Sequence, residues 1–160
     1  MKFSDFVKVD SILTKLEATT KEGVVREMVE SLAKEGGVPA ESVDDVIGAV
    51  MKREELGTTG IGRGIAIPHA KHPGVSAIVG TVAISPEGVD FSSLDCQKVN
   101  LFFLIVSPPD AGESHLRALR HITAQLKNEA FCRYLLQSRT REDIVNLLNE
   151  ADDGMYLEEE

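Results

Sequence analysis

Apolar residues recur along this chain with two periods, and the elements follow from them. Val25, Met28, Val29 and Leu32 fall on one helical face, and Thr19 with Glu22 three residues on has the capping-box pattern at the start of that helix. Gly36-Gly37 predicts its end. Pro39 suits the first turn of a second helix, whose stripe is Val43, Val46, Ile47 and Val50 and whose end falls near Leu56-Gly57. Residues 77–85 and 99–106 read as strands, and the second is so uniformly apolar that both of its faces should be covered. A partial alternation over residues 11–17 predicts an edge strand. The first ten residues, with two phenylalanines, are expected to pack on the domain.

After the turn at Pro108-Pro109, Ser114 is placed to open a helix from His115 to Lys127, with Leu116, Leu119, Ile122 and Leu126 facing inward. A short helix follows over Phe131–Gln137. Thr140 and Asp143 then box the start of a last helix carrying Ile144, Leu147 and Leu148. Helices mixed with spaced strands predict an α/β sandwich: one sheet flanked by helices on both faces. The expected division is a single domain over residues 1–150 and an acidic, disordered tail over 151–160.

Composition narrows the function classes. The net charge is -9, and no basic cluster suggests nucleic acid. An acidic surface suits a basic protein partner. Cys96 and Cys132 form no metal-knuckle or redox spacing. No run approaches the length of a membrane span, and the N-terminal residues lack the apolar core of a signal peptide. A cytoplasmic protein is expected.

One segment departs from ordinary composition. Four glycines occur within eight residues, Gly57-Thr58-Thr59-Gly60-Ile61-Gly62-Arg63-Gly64, and an apolar Ile65-Ala66-Ile67 leads from them to Pro68-His69. Glycines allow positive φ and close approach of backbone to a ligand. The segment matches no dinucleotide or P-loop pattern. Imidazole, with an ordinary pKa near 6.5, is a neutral nucleophile at pH 7 and, once phosphorylated, a good leaving group. Phosphoryl transfer itself needs positioning and electrostatic stabilisation. N–H groups of the glycine loop, Arg53 at the end of the second helix, and His115 at a helix start are candidates for that role.

The stretch from Arg53-Glu54 through Gly57-Thr58-Thr59-Gly60-Ile61-Gly62-Arg63-Gly64-Ile65-Ala66-Ile67-Pro68-His69-Ala70 resembles the enzyme IIA signature of the fructose/mannitol/nitrogen family of the bacterial phosphotransferase system. The likeness runs from about residue 5 to 149. It implies that His69 is the phosphorylated histidine, Arg53 its loop-supporting arginine, and His115 the second active-site histidine. Gly57, Thr58, Thr59, Gly60, Ile61, Gly62 and Gly64 would then cradle the phosphate. Lys71 and Thr58 stand where the family often has Arg and Ser. The resemblance also implies the HPr phosphocarrier, or its nitrogen-branch paralogue, as donor, an enzyme IIB or a regulated protein as the next partner, and no metal or cofactor.

Two versions of that function are open: a nitrogen-type regulator, favoured because no IIB-like or IIC-like segment accompanies the chain, or a sugar-transport subunit. A module that keeps the fold and binds partners without transfer is the rival of another class. His121 is expected to be structural, and His69-x-x-His72 is a poor metal pair.

Overall fold

The computed structural model describes residues 1–157. Its helices are α1 (Lys21–Lys34), α2 (Val43–Glu55), α3 (Gly112–Leu126), α4 (Glu129–Gln137) and α5 (Arg141–Asp152). Its strands are β1 (Gly60–Gly62), β2 (Ile65–Ala66), β3 (His69–Lys71), β4 (Val79–Val89) and β5 (Val99–Ser107). They form one mixed sheet around β5, which pairs antiparallel with β4 and parallel with β2 and β3. β2 and β3 keep the same 36-residue offset against β5, 65 opposite 101 and 69 opposite 105. They are one line of chain interrupted at Ile67-Pro68, where proline has no N–H for the ladder.

Side chains of β5 alternate between two cores, as a strand covered on both faces must. Phe102, Leu104 and Val106 join α1 and α2 in one cluster. Leu101, Phe103 and Ile105 join α3, α4 and α5 in the other. This is the expected sandwich. Phe3 and Phe6 are buried in the second cluster, so the first residues do pack on the domain.

Four local expectations are corrected. Residues 11–17 are not a strand. Val9–Ser11 is a 3-10 turn, closed where the Ser11 hydroxyl meets the Lys8 carbonyl and the Thr81 hydroxyl, and only Leu13 makes a bridge, to Ala83. The cap of α1 is Thr20 rather than Thr19: Thr20 directly precedes the first helical residue, has the extended backbone of a cap, and its side chain accepts from the Gly23 N–H at 3.1 Å. In α3 the buried face is His115, Ala118, Ile122 and Leu126, while Leu116 is 46% exposed. At 100° per residue Leu116 lies about 120° away from Ile122.

The domain does not stop at 150. α5 runs to Asp152, and the Tyr156 ring is buried 4.8 Å from that of Phe131, its hydroxyl on Glu150. Aromatic burial holds residues 151–157 against the fold despite their acidic composition. The rest of the expected tail, 158–160, lies outside the described residues.

Candidate active site

His69 opens β3, directly after the interruption at Ile67-Pro68. Its Nδ1 lies 2.8 Å from the Ile67 carbonyl oxygen. A carbonyl oxygen only accepts, so Nδ1 carries the proton and Nε2 carries the lone pair. Burial lowers the pKa of this ring; the Ile67 bond works against that and the charge of Arg53 with it, and the net direction is down. The ring is therefore neutral at pH 7, with a free nitrogen.

His115 sits in the first turns of α3, 5.4 Å from His69 between ring centroids and inclined by 59°. Its Nδ1 is 2.5 Å from the hydroxyl of Ser107, the fully buried last residue of β5. Burial pushes its pKa down to about 4, and the charges of His69 and Lys71 act in the same direction. Two neutral imidazoles thus face one cleft of about 520 Å³, whose wall also includes Lys52, Arg53, Leu56 and Lys71. In a chain of net charge -9, three cations gathered beside two histidines make a local anion-attracting field.

Arg53 lines this cleft from the last turn of α2 and donates to the Gly57 carbonyl at 2.9 Å. It ties the glycine loop to the wall of the histidine cleft. Three N–H groups of the loop expected to cradle phosphate are already bonded within the chain. The Gly57 N–H is bonded to the Glu54 carbonyl, the Thr59 N–H to the Glu54 carboxylate, and the Gly60 N–H to the Thr58 hydroxyl. Residues 57–64 contribute nothing to the cleft wall. Gly60 and Ile61 lie in β1, Ile61 partly exposed. Gly62, Arg63 and Gly64 form the tip of the β1–β2 hairpin with φ of 95°, 58° and 77°. These glycines serve a tight turn, which requires the left-handed region.

What the loop does is hold His69. The Thr59 side chain and N–H both bond the buried Glu54 carboxylate, which pairs with Lys21 Nζ at 2.7 Å. The Thr59 carbonyl accepts from the Ile67 N–H at 3.1 Å, and the Ile67 carbonyl accepts from His69. Thr58 reinforces this from the far side by donating to the Phe91 carbonyl. Glu54 and Ser107 escaped the sequence reading. A signal existed for Glu54: it continues the apolar stripe of Val43, Ile47 and Val50, where a carboxylate demands partners. Ser107 gave none, because only the turn of β5 into α3 brings it to His115.

The remaining histidines stand apart. His121 Nε2 is 3.0 Å from Asp152, whose carboxylate also accepts from the Phe3 and Ser4 N–H groups, so it ties α3, α5 and the first residues together. His72 Nδ1 accepts from the Gly74 N–H.

A mixed sheet between two helical layers, with two histidines across a cation-rimmed cleft, defines a protein of the phosphotransferase enzyme IIA class. The chain belongs to the family described as the phosphoenolpyruvate-dependent sugar phosphotransferase system, EIIA 2, whose model matches residues 5–151. It is 35% identical to a nitrogen regulatory protein of Bradyrhizobium diazoefficiens over 148 residues, covering 92% of this chain and 95% of that one. It is 34% identical over 152 residues to the fructose-specific EIIABC component of Bacillus subtilis, covering 95% of this chain and 24% of that larger protein. Among solved structures, nitrogen regulatory protein IIA-Ntr of Neisseria meningitidis superposes with a TM-score of 0.83 at 27% identity, covering 91% and 98% of the two chains. No helix among the described residues is long and apolar enough to cross a membrane.

Proposed function

We propose that this chain is a phosphocarrier of the nitrogen-regulatory kind: His69 accepts a phosphoryl group from phosphorylated HPr, or its nitrogen-branch paralogue, in the cytoplasm. The group then passes to a downstream acceptor or is held as a signal read by a regulated protein. The observation that carries this reading is the bond from His69 Nδ1–H to the Ile67 carbonyl, which leaves Nε2 as the only nucleophilic nitrogen of a neutral ring in a cationic cleft.

In the step, the Nε2 lone pair forms a new N–P bond as the donor's N–P bond breaks. The electron pair of the broken bond returns to the donor's imidazole. The proton stays on Nδ1, donated to the Ile67 carbonyl, so the phosphorylated ring keeps positive character and remains a good leaving group for the return or onward step. Arg53, Lys52 and Lys71 offset the charge on the three phosphoryl oxygens, and His115 supplies a neutral donor.

The nitrogen-regulatory relative and the IIA-Ntr fold support the regulatory version. The similarity to the A portion of a fructose-specific EIIABC component favours the second reading, a subunit that donates to an enzyme IIB. Phosphorus NMR of the loaded protein tests the nucleophile: phosphate on Nε2 of His69 is expected, and phosphate on Nδ1 or on any other residue contradicts the assignment. Chasing loaded protein with purified IIB proteins separates the versions, since only the transport version empties rapidly onto one of them.

A further inference from the structure

Ser107 occupies a position that no part of the transfer chemistry requires by itself. Its backbone stands opposite Lys71 in the β3–β5 ladder, and its carbonyl accepts from the His72 N–H at 2.9 Å. Its side chain reaches across the Pro108-Pro109 turn to His115 Nδ1, and among the described residues the hydroxyl has no other hydrogen-bond partner. One buried residue therefore touches both elements that carry the histidine pair. Its main chain secures the strand of His69, and its side chain secures the ring of His115.

The direction of that bond has a chemical consequence. A serine hydroxyl donates one hydrogen and accepts through two lone pairs. Were it to accept from His115 Nδ1–H, its own hydrogen would be buried without an acceptor. An unsatisfied buried donor is more costly than a vacant lone pair. When Ser107 donates instead, its hydrogen is satisfied, and His115 Nδ1 becomes the acceptor. The imidazole is neutral, so its proton must then be on Nε2.

We infer that Ser107 is a positioning residue that fixes His115 as the Nε2–H tautomer, making His115 a hydrogen-bond donor toward the cleft shared with His69. The assignment rests on the phosphocarrier reading for its consequence, but not for its chemistry. The two histidines then have opposite tautomers for opposite duties. His69 holds its proton on Nδ1 and offers a lone pair. His115 holds its proton on Nε2 and offers a hydrogen to the phosphoryl oxygens. With His115 in the other tautomer, a lone pair would face an incoming dianion.

Long-range proton–nitrogen correlation spectra of the histidine rings of the wild-type protein at pH 7 test the tautomer without any substitution. The expected pattern places the His115 proton on Nε2 and an acceptor-type shift on Nδ1; a proton on Nδ1 overturns the inference. Ser107→Ala should let both tautomers populate and slow loading of His69 from phosphorylated HPr about tenfold, with the same final phosphate content. Ser107→Thr, which keeps the hydroxyl, should restore a single Nε2–H tautomer and most of the rate. In a His115→Ala background Ser107→Ala should cause no further loss of rate, because it acts through that ring. An equal tenfold loss there would make Ser107 a general structural residue and overturn the assignment. Absence of loading in the wild type would instead reject the phosphocarrier reading, while the ring spectra would still decide the tautomer.

Discussion

The rings of His69 and His115 lie 5.4 Å apart, yet each is anchored away from the other, His69 on the Ile67 carbonyl and His115 on the Ser107 hydroxyl. The pair is thus set by the strands beneath it. β3 and β5 fix the spacing, and the space between the rings and the three cations is left for a ligand.

Burying His115 links stability to acid. Its pKa falls from an ordinary 6.5 to about 4 on folding, so between those values the unfolded chain binds a proton that the folded chain refuses. Stability should therefore be full above pH 6.5 and decline as pH falls toward 4, by about 3 kcal/mol from this group. The lowered pKa of His69 acts in the same direction. Urea unfolding at several pH values checks this: His115→Gln should flatten the decline between pH 6.5 and 5 relative to wild type. An identical decline in both proteins would contradict it.

His115→Ala should slow loading of His69 by roughly 10²-fold, the usual loss for one transition-state donor, and still allow the protein to fill given time. Stopped-flow or quenched loading curves separate rate from end point. A complete block would make His115 more than a donor.

Glu54→Ala should loosen the loop that holds His69. The change leaves the Thr59 N–H and Lys21 without their buried partner, a loss of about 3 kcal/mol. Chemical denaturation reads the stability. Exchange of the Ile67 amide proton, bonded to the Thr59 carbonyl, reads the local effect and should accelerate more than that of the β4–β5 amides.

Tyr156→Ala should cost about 3 kcal/mol, the usual price of removing a buried aromatic, because its ring packs on Phe131. A denaturation midpoint equal to that of wild type would mean that residues 151–157 contribute nothing to the fold.

Most of the fold was legible because its signals are local. The 3.6-residue stripes of α1 and α2, the capping box at Thr140 and the apolar run of β5 all stand in short windows of sequence, and the structure has elements at each. The misreadings arose where distant contacts outweigh local pattern. Alternation over residues 11–17 lost to the Ser11–Thr81 bond, and acidic composition after 150 lost to burial of Tyr156. The site divides the same way. His69, Arg53 and His115 stand out by motif, and the structure gathers all three at one cleft. The task of the glycine loop did not follow from composition, since glycine density marks a turn as readily as an anion cradle. The bonds of Gly57, Thr59 and Gly60 to Glu54 and Thr58 need the folded chain to be seen.

His69 is the residue proposed to carry phosphate. The direct measurement is the intact mass, at neutral or alkaline pH, of wild type and His69→Ala after incubation with HPr, enzyme I and phosphoenolpyruvate. His69 is only half-buried at the start of a short strand, so the variant is expected to keep the fold, which circular dichroism verifies. One added phosphate in the wild type and none in His69→Ala is the predicted result. Phosphate retained by the variant would move the site elsewhere, and a folded wild type that gains none from a working donor would leave a partner-binding module with an enzyme IIA fold.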